Sequence, residues 1–169
     1  IYKLVLYIYT SFFNETMKNI ISVLVENEAG ILARLTSLLA RRGFNIECLS
    51  VGPTHRDDLS RITMVVPGNY YTIEQLTKQL YKLVNVKKIE NLSSRPNVNR
   101  ELMLLKVKVT KPTRTEILDI VKVFNAKVVD FSEEVFTLEV TGESEKIEVF
   151  EQLLKKFEII EIAKTGTIA

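Results

Sequence analysis

Short runs of β-branched and aliphatic residues alternate along this chain with stretches whose apolar positions recur every three or four residues, and the whole pattern occurs twice. Ile20 to Val25 is almost uniformly apolar, which predicts a strand buried within a sheet, ending at the polar Glu26-Asn27-Glu28. Ile31, Leu32, Leu35, Leu38 and Leu39 then share one helical face, and Gly43 stands where a C-terminal cap belongs. Asn45 to Val51 and Leu59 to Val66 read as two strands of a hairpin, because the intervening Gly52-Pro53 and the polar run to Asp58 are turn chemistry. Thr72-Ile73-Glu74-Gln75 has the spacing of a capping box, Ile73, Leu76, Leu80 and Leu83 supply the next helical stripe, and Val86 to Leu92 closes the unit.

Ser93 to Arg100, with Pro96 inside it, has the composition of a linker. The order then repeats: a strand at Leu102 to Val109, a second capping-box spacing at Thr113-Arg114-Thr115-Glu116, and a helix face of Ile117, Ile120, Val121 and Phe124. A tight hairpin follows, Ala126 to Phe131 and Val135 to Val140, then a helix carrying Ile147, Phe150, Leu153 and Leu154, and a last strand at Ile159 to Ala163. Two βαββαβ units in series predict an α+β chain of two tandem ferredoxin-like sandwiches, over residues 17–92 and 101–169 with a linker at 93–100. Helices on one sheet face leave the other face and the edge strands to be covered, so a homodimer is expected.

Composition narrows the functions. The chain is 46% hydrophobic, enough for real cores, and 23 basic against 21 acidic residues leave a net charge of +2, too little for polyanion binding by bulk charge. No nucleic-acid partner is expected; the strands Ile21 to Leu24 and Ile62 to Val66 also lack the aromatic platforms with which sheets of this topology bind RNA. The apolar leader Ile1 to Phe13 is short of the roughly 20 residues that span a bilayer, so no membrane anchor is expected. Residues 1–16 read as a poorly ordered extension, or else an added edge strand, ahead of a natural start at Met17.

Groups for catalysis are scarce. The single histidine, His55, lies in a polar loop with no positioned partner, and the single cysteine, Cys48, has apolar neighbours that suit a small buried hydrophobe. Gly30, Gly43, Gly52, Gly68, Gly142 and Gly166 are too widely spaced for a dinucleotide fingerprint or a phosphate loop. Asp57-Asp58 and Glu133-Glu134 lack metal-loop spacing, so no metal site or catalytic residue is expected.

The informative stretch is Glu26-Asn27-Glu28-Ala29-Gly30-Ile31-Leu32, where a buried strand hands over to a helix. The first turn of a helix presents unpaired N–H groups that can take a carboxylate, a glycine lets a ligand's backbone approach, and an asparagine carbonyl can accept from an ammonium group. Asn27 and Gly30, reinforced by Asn45, therefore suit a free amino acid. The alternative is that Asn27 merely caps the helix and Gly30 relieves a turn.

Ile20-Ile21-Ser22-Val23-Leu24-Val25-Glu26-Asn27-Glu28-Ala29-Gly30 resembles the opening of acetohydroxyacid (acetolactate) synthase small subunits. Arg41-Arg42-Gly43-Phe44-Asn45-Ile46, Leu59-Ser60-Arg61-Ile62-Thr63 and the Arg100 to Val107 run resemble later strings of the same family, so the likeness spans Met17 to Ala169. The resemblance implies an N-terminal ACT domain that dimerises and binds valine or another branched-chain amino acid between protomers. Asn27 and Gly30 of one protomer and Asn45 and Ile46 of its neighbour would contact the ligand, flanked by Ala29, Ile31 and Leu32. It also implies a non-catalytic subunit that activates a large catalytic partner and makes it sensitive to feedback, in bacterial cytoplasm or plastid stroma. Thiamine diphosphate, FAD and magnesium would belong to that partner. The chain differs from the family in its apolar leader and in ending soon after Gly166, where some members run on. Two other readings stay open: an ACT regulator serving another system, and an acylphosphatase-like hydrolase, whose phosphate loop would want an arginine where Glu26 to Gly30 is acidic.

Overall fold

The computed structural model describes residues 17–169, so the expected extension at 1–16 lies outside the described residues. Two compact units divide the chain between Asn97 and Val98. In the first, the elements are β1 (Lys18–Glu26), α1 (Ile31–Arg41), β2 (Cys48–Pro53), β3 (Leu59–Pro67), α2 (Tyr70–Leu80) and β4 (Val86–Asn91). In the second they are β5 (Glu101–Lys108), α3 (Arg114–Val123), β6 (Lys127–Phe131), β7 (Val135–Gly142), α4 (Ser144–Leu154) and β8 (Ile159–Lys164). The four-stranded sheets have orders β2-β3-β1-β4 and β6-β7-β5-β8, so the same antiparallel βαββαβ plan is built twice, as the periodicity predicts.

Alternation along the central strands decides which side of each sheet the helices cover. Ile21, Val23 and Val25 of β1 and Ile62, Met64 and Val66 of β3 meet Ile31, Leu35, Leu39, Ile73, Leu76 and Leu80 from the helices in one buried cluster. Met103, Leu105 and Val107 of β5 do the same with Phe136, Leu138, Ile117, Ile147, Phe150 and Leu154 in the second unit.

The helix ends show where local signals suffice. After α1, Gly43 takes φ +71°, its N–H donates to the Ala40 carbonyl at 3.0 Å and the Phe44 N–H donates to the Leu39 carbonyl at 3.1 Å, a Schellman cap. Asn125, at φ 51°, ends α3 with the matching pair of bonds from Asn125 to Lys122 and Ala126 to Val121.

Three local expectations are corrected. Strand β2 begins at Cys48, not Asn45: ladder partners start at Cys48 opposite Val65, and residues 45–47 approach as irregular chain. Neither capping box forms. Helix α2 starts earlier, at Tyr70, because the Asn69 side chain accepts from the Thr72 N–H at 2.9 Å. At α3 the Thr113 hydroxyl turns back to Thr110, and Glu116 is drawn away to Lys156 of the segment after α4. The expected linker is partly folded: Leu92 donates to the Ile20 carbonyl, and the Ile20 N–H donates to Ser93 Oγ at 2.8 Å. Cys48 is half-buried at the start of an edge strand.

Candidate functional site

At the C-terminal end of β1 the chain crosses to α1 through residues 27–30. Gly30 is the N-cap of α1, with φ 82° and ψ 0°, a left-handed conformation that side chains rarely adopt. A Cβ there would meet nothing within 4 Å, so the space over the helix end is open. No side chain caps α1, and among the described residues no hydrogen bond engages the Leu32 or Ala33 N–H. The helix therefore presents polarised donors at its first turn.

Asn27 is not a helix cap. Its N–H donates to the Asp58 carbonyl at 2.8 Å and its Nδ2 donates to the Asp57 carbonyl at 3.2 Å, which ties the loop to the β2–β3 hairpin, while the residue stays exposed and keeps Oδ1 as an acceptor. Ala29 and Gly30 are exposed, Leu32 is 38% exposed, and Ile31 is committed to the core beneath the loop.

Asn45 and Ile46 lie elsewhere. Cys48 is level with Val65, and Val65 with Ile20, whereas Asn27 follows Glu26 at the far end of β1. Six residues of strand separate these levels, about 20 Å at the usual rise. The structure thus brings Asn27, Ala29, Gly30 and Leu32 together but holds Asn45, which is exposed, and Ile46, packed on the first core, at the opposite end of the same sheet.

Charges around the loop are mostly paired. Lys87 and the Asn85 amide both donate to the Glu26 carboxylate, and they hold it below its ordinary value of 4.5, the Lys87 bond contributing most. Arg56 grips Asp58 through Nε at 3.0 Å and Nη2 at 2.6 Å, which lowers the Asp58 carboxyl likewise. Because the folded value of Glu26 is depressed, its contribution to stability is present above pH 4.5 and is lost as pH falls through that lower value. The Glu26 side-chain carboxyl carbon resonance in NMR is accordingly expected to titrate with a midpoint below pH 4.5. A midpoint at or above that value would contradict the pairing.

Sequence reasoning missed Asn85, Lys87 and Arg34, all of which support the loop across long sequence separations. The second unit offers an internal comparison. There too the residue after the strand is bonded to a hairpin turn, Val109 N–H to the Glu134 carbonyl at 2.6 Å. Its loop has no glycine, its N-cap Thr113 is at φ −86°, and the Thr110 N–H donates to Thr113 Oγ1 at 2.9 Å. That loop is tied by its own side chains, but neither α3 nor α1 has a side-chain cap; what sets the first unit apart is the glycine at its N-cap. Among the described residues no group of three or more His, Cys, Asp or Glu is placed to hold a metal, and no helix is long and apolar enough to cross a membrane.

A βαββαβ sandwich with a glycine-opened helix at the end of its first strand, followed by a second sandwich, defines a tandem protein of the ACT type. Residues 21–88 match the model of the AHAS small subunit-like ACT domain, and residues 100–169 match that of the small subunit of acetolactate synthase. The chain belongs to the acetolactate synthase small-subunit family. It is 46% identical over 153 residues to a probable acetolactate synthase small subunit of Archaeoglobus fulgidus, covering 90% of this chain and 96% of that one. The small subunit of Mycolicibacterium smegmatis is 47% identical over 156 residues, 92% of each chain. The crystal structure of the small subunit from Thermotoga maritima superposes with a TM-score of 0.81 at 39% identity, covering 90% of this chain and 95% of that one.

Proposed function

We propose that this chain is a non-catalytic regulatory subunit of acetolactate synthase that activates the catalytic subunit and confers feedback inhibition by valine or another branched-chain amino acid. The observation that carries the reading is the uncapped start of α1 behind Gly30, with the exposed Asn27 in the loop that leads into it. A free amino acid has one carboxylate for the helix amides and one ammonium for Asn27 Oδ1. Ala29 and Leu32 give its aliphatic side chain apolar neighbours, over a floor fixed by Ile31.

Asn45 and Ile46 complete the receptor from a second protomer, since one chain keeps them at the wrong end of the sheet. The ACT units therefore form the homodimer, and ligand bound between them favours one arrangement of the pair. A coupling of about 1–3 kcal/mol, typical of allostery, gives a 5- to 150-fold response. Thiamine diphosphate, FAD and magnesium act in the large catalytic partner, in cytoplasm or plastid stroma.

The test is reconstitution. Mixed with an acetolactate synthase catalytic subunit, the chain is expected to raise acetolactate formation and to make it sensitive to valine, leucine or isoleucine. Calorimetry on the chain alone should show one of the three binding between protomers. Absence of both activation and binding would overturn the reading, and binding without activation would favour a regulator that serves another system.

A further inference from the structure

One side chain outside the loop holds both of its ends. Asn85, in the turn before β4, donates through Nδ2 to Glu26 Oε2 at 2.8 Å and to Glu28 Oε2 at 2.9 Å. Its Oδ1 accepts from Arg34 Nη1 at 3.1 Å, and its backbone carbonyl accepts from the Glu26 N–H at 2.9 Å. The end of β1, the loop and the first turn of α1 are thereby joined at a single residue. Two carboxylates converge there, and without a shared donor they would repel and splay the loop.

Only a primary amide offers two donors and an acceptor on so short an arm. Aspartate cannot donate to Glu26 or Glu28, lysine cannot accept from Arg34, and glutamine is one methylene longer.

We infer that Asn85 is a positioning residue for effector binding: by pinning Glu26, Glu28 and Arg34 together it sets the angle at which Asn27 and the open end of α1 meet the ligand. The inference rests on the proposal that this loop receives the amino acid. Asn85 touches no ligand itself, and two helices and two strands separate it in sequence from the loop it orders.

The experiment uses the full-length chain and valine, leucine and isoleucine as probes. Asn85→Asp replaces the donor with a third carboxylate facing Glu26 and Glu28, and is expected to weaken binding in calorimetry about 10- to 100-fold. Hydrogen exchange, measured without ligand, should speed up at the Glu28 and Ile31 amides, which in the parent bond to the Glu26 and Glu28 carbonyls. Glu28→Gln alone should bind like the parent, because the introduced amide keeps a carbonyl oxygen that accepts from Asn85. Combined with Asn85→Asp it should recover at least tenfold in affinity, since that amide can then donate to the carboxylate introduced at position 85. A general loss of stability would show no such recovery. Parent-like affinity in Asn85→Asp, or no rescue in the pair, would overturn the role of Asn85. A parent chain that binds none of the three amino acids would instead overturn the ligand proposal, whatever the exchange data show.

Discussion

Replacing Gly30 by aspartate is expected to lower the affinity for a branched-chain amino acid about 100-fold or more, some 2.8 kcal/mol, while the chain stays folded and still activates its catalytic partner. The backbone argument comes first. At φ 82° a side chain is strained by about 1–2 kcal/mol, but Asp and Asn tolerate this region best, and a Cβ would enter open space. The new carboxylate would then lie over the first-turn amides of α1, where it favours the helix and competes with the ligand's own carboxylate at very high effective concentration. Gly30→Asn is the control: it makes the same backbone demand without the charge and should lose less affinity. Calorimetry with valine, followed by inhibition assays on the reconstituted enzyme, reads both variants. Undiminished valine inhibition in Gly30→Asp would remove the helix end from the site.

The second large effect is on stability and falls in the other sandwich. Phe150 is fully buried and packs on Phe124 with ring centroids 5.3 Å apart. Truncating it to alanine should cost about 3–5 kcal/mol, most of what a domain of this size has to lose. Each unit has its own buried cluster, so urea or calorimetric unfolding should show the second unit's transition moved down while the first stays in place. Valine should raise only the first transition. If Phe150→Ala instead lowers both transitions together, the two cores are not independent.

How much of this is legible in the residues depends on the range of the interaction. Gly30 and Gly43 can be read because a positive φ is written directly as glycine, and the buried alternation of β1 and β5 gives the sheets their inner faces. Local pattern places edge strand β2 too early: its ladder begins only at Cys48 opposite Val65, although β3 runs on to Pro67 paired with β1. The capping boxes fail for two different reasons. Asn69 competes with Thr72 as a local cap and wins, whereas Glu116 is claimed by Lys156, a partner no local pattern can show. The site divides in the same way. Asn27 and Gly30 lie in one contiguous string with a chemical logic of its own, while Asn85 and Lys87 are brought to it only by the fold.

The roughly 20 Å of strand between the Asn27 end and the Asn45 end of the sheet also bears on dosage. An effector that must touch both asparagines reads two copies of the chain at once, so its apparent potency climbs as the subunit becomes more abundant. Dilution alone would then dull the response, with every side chain intact.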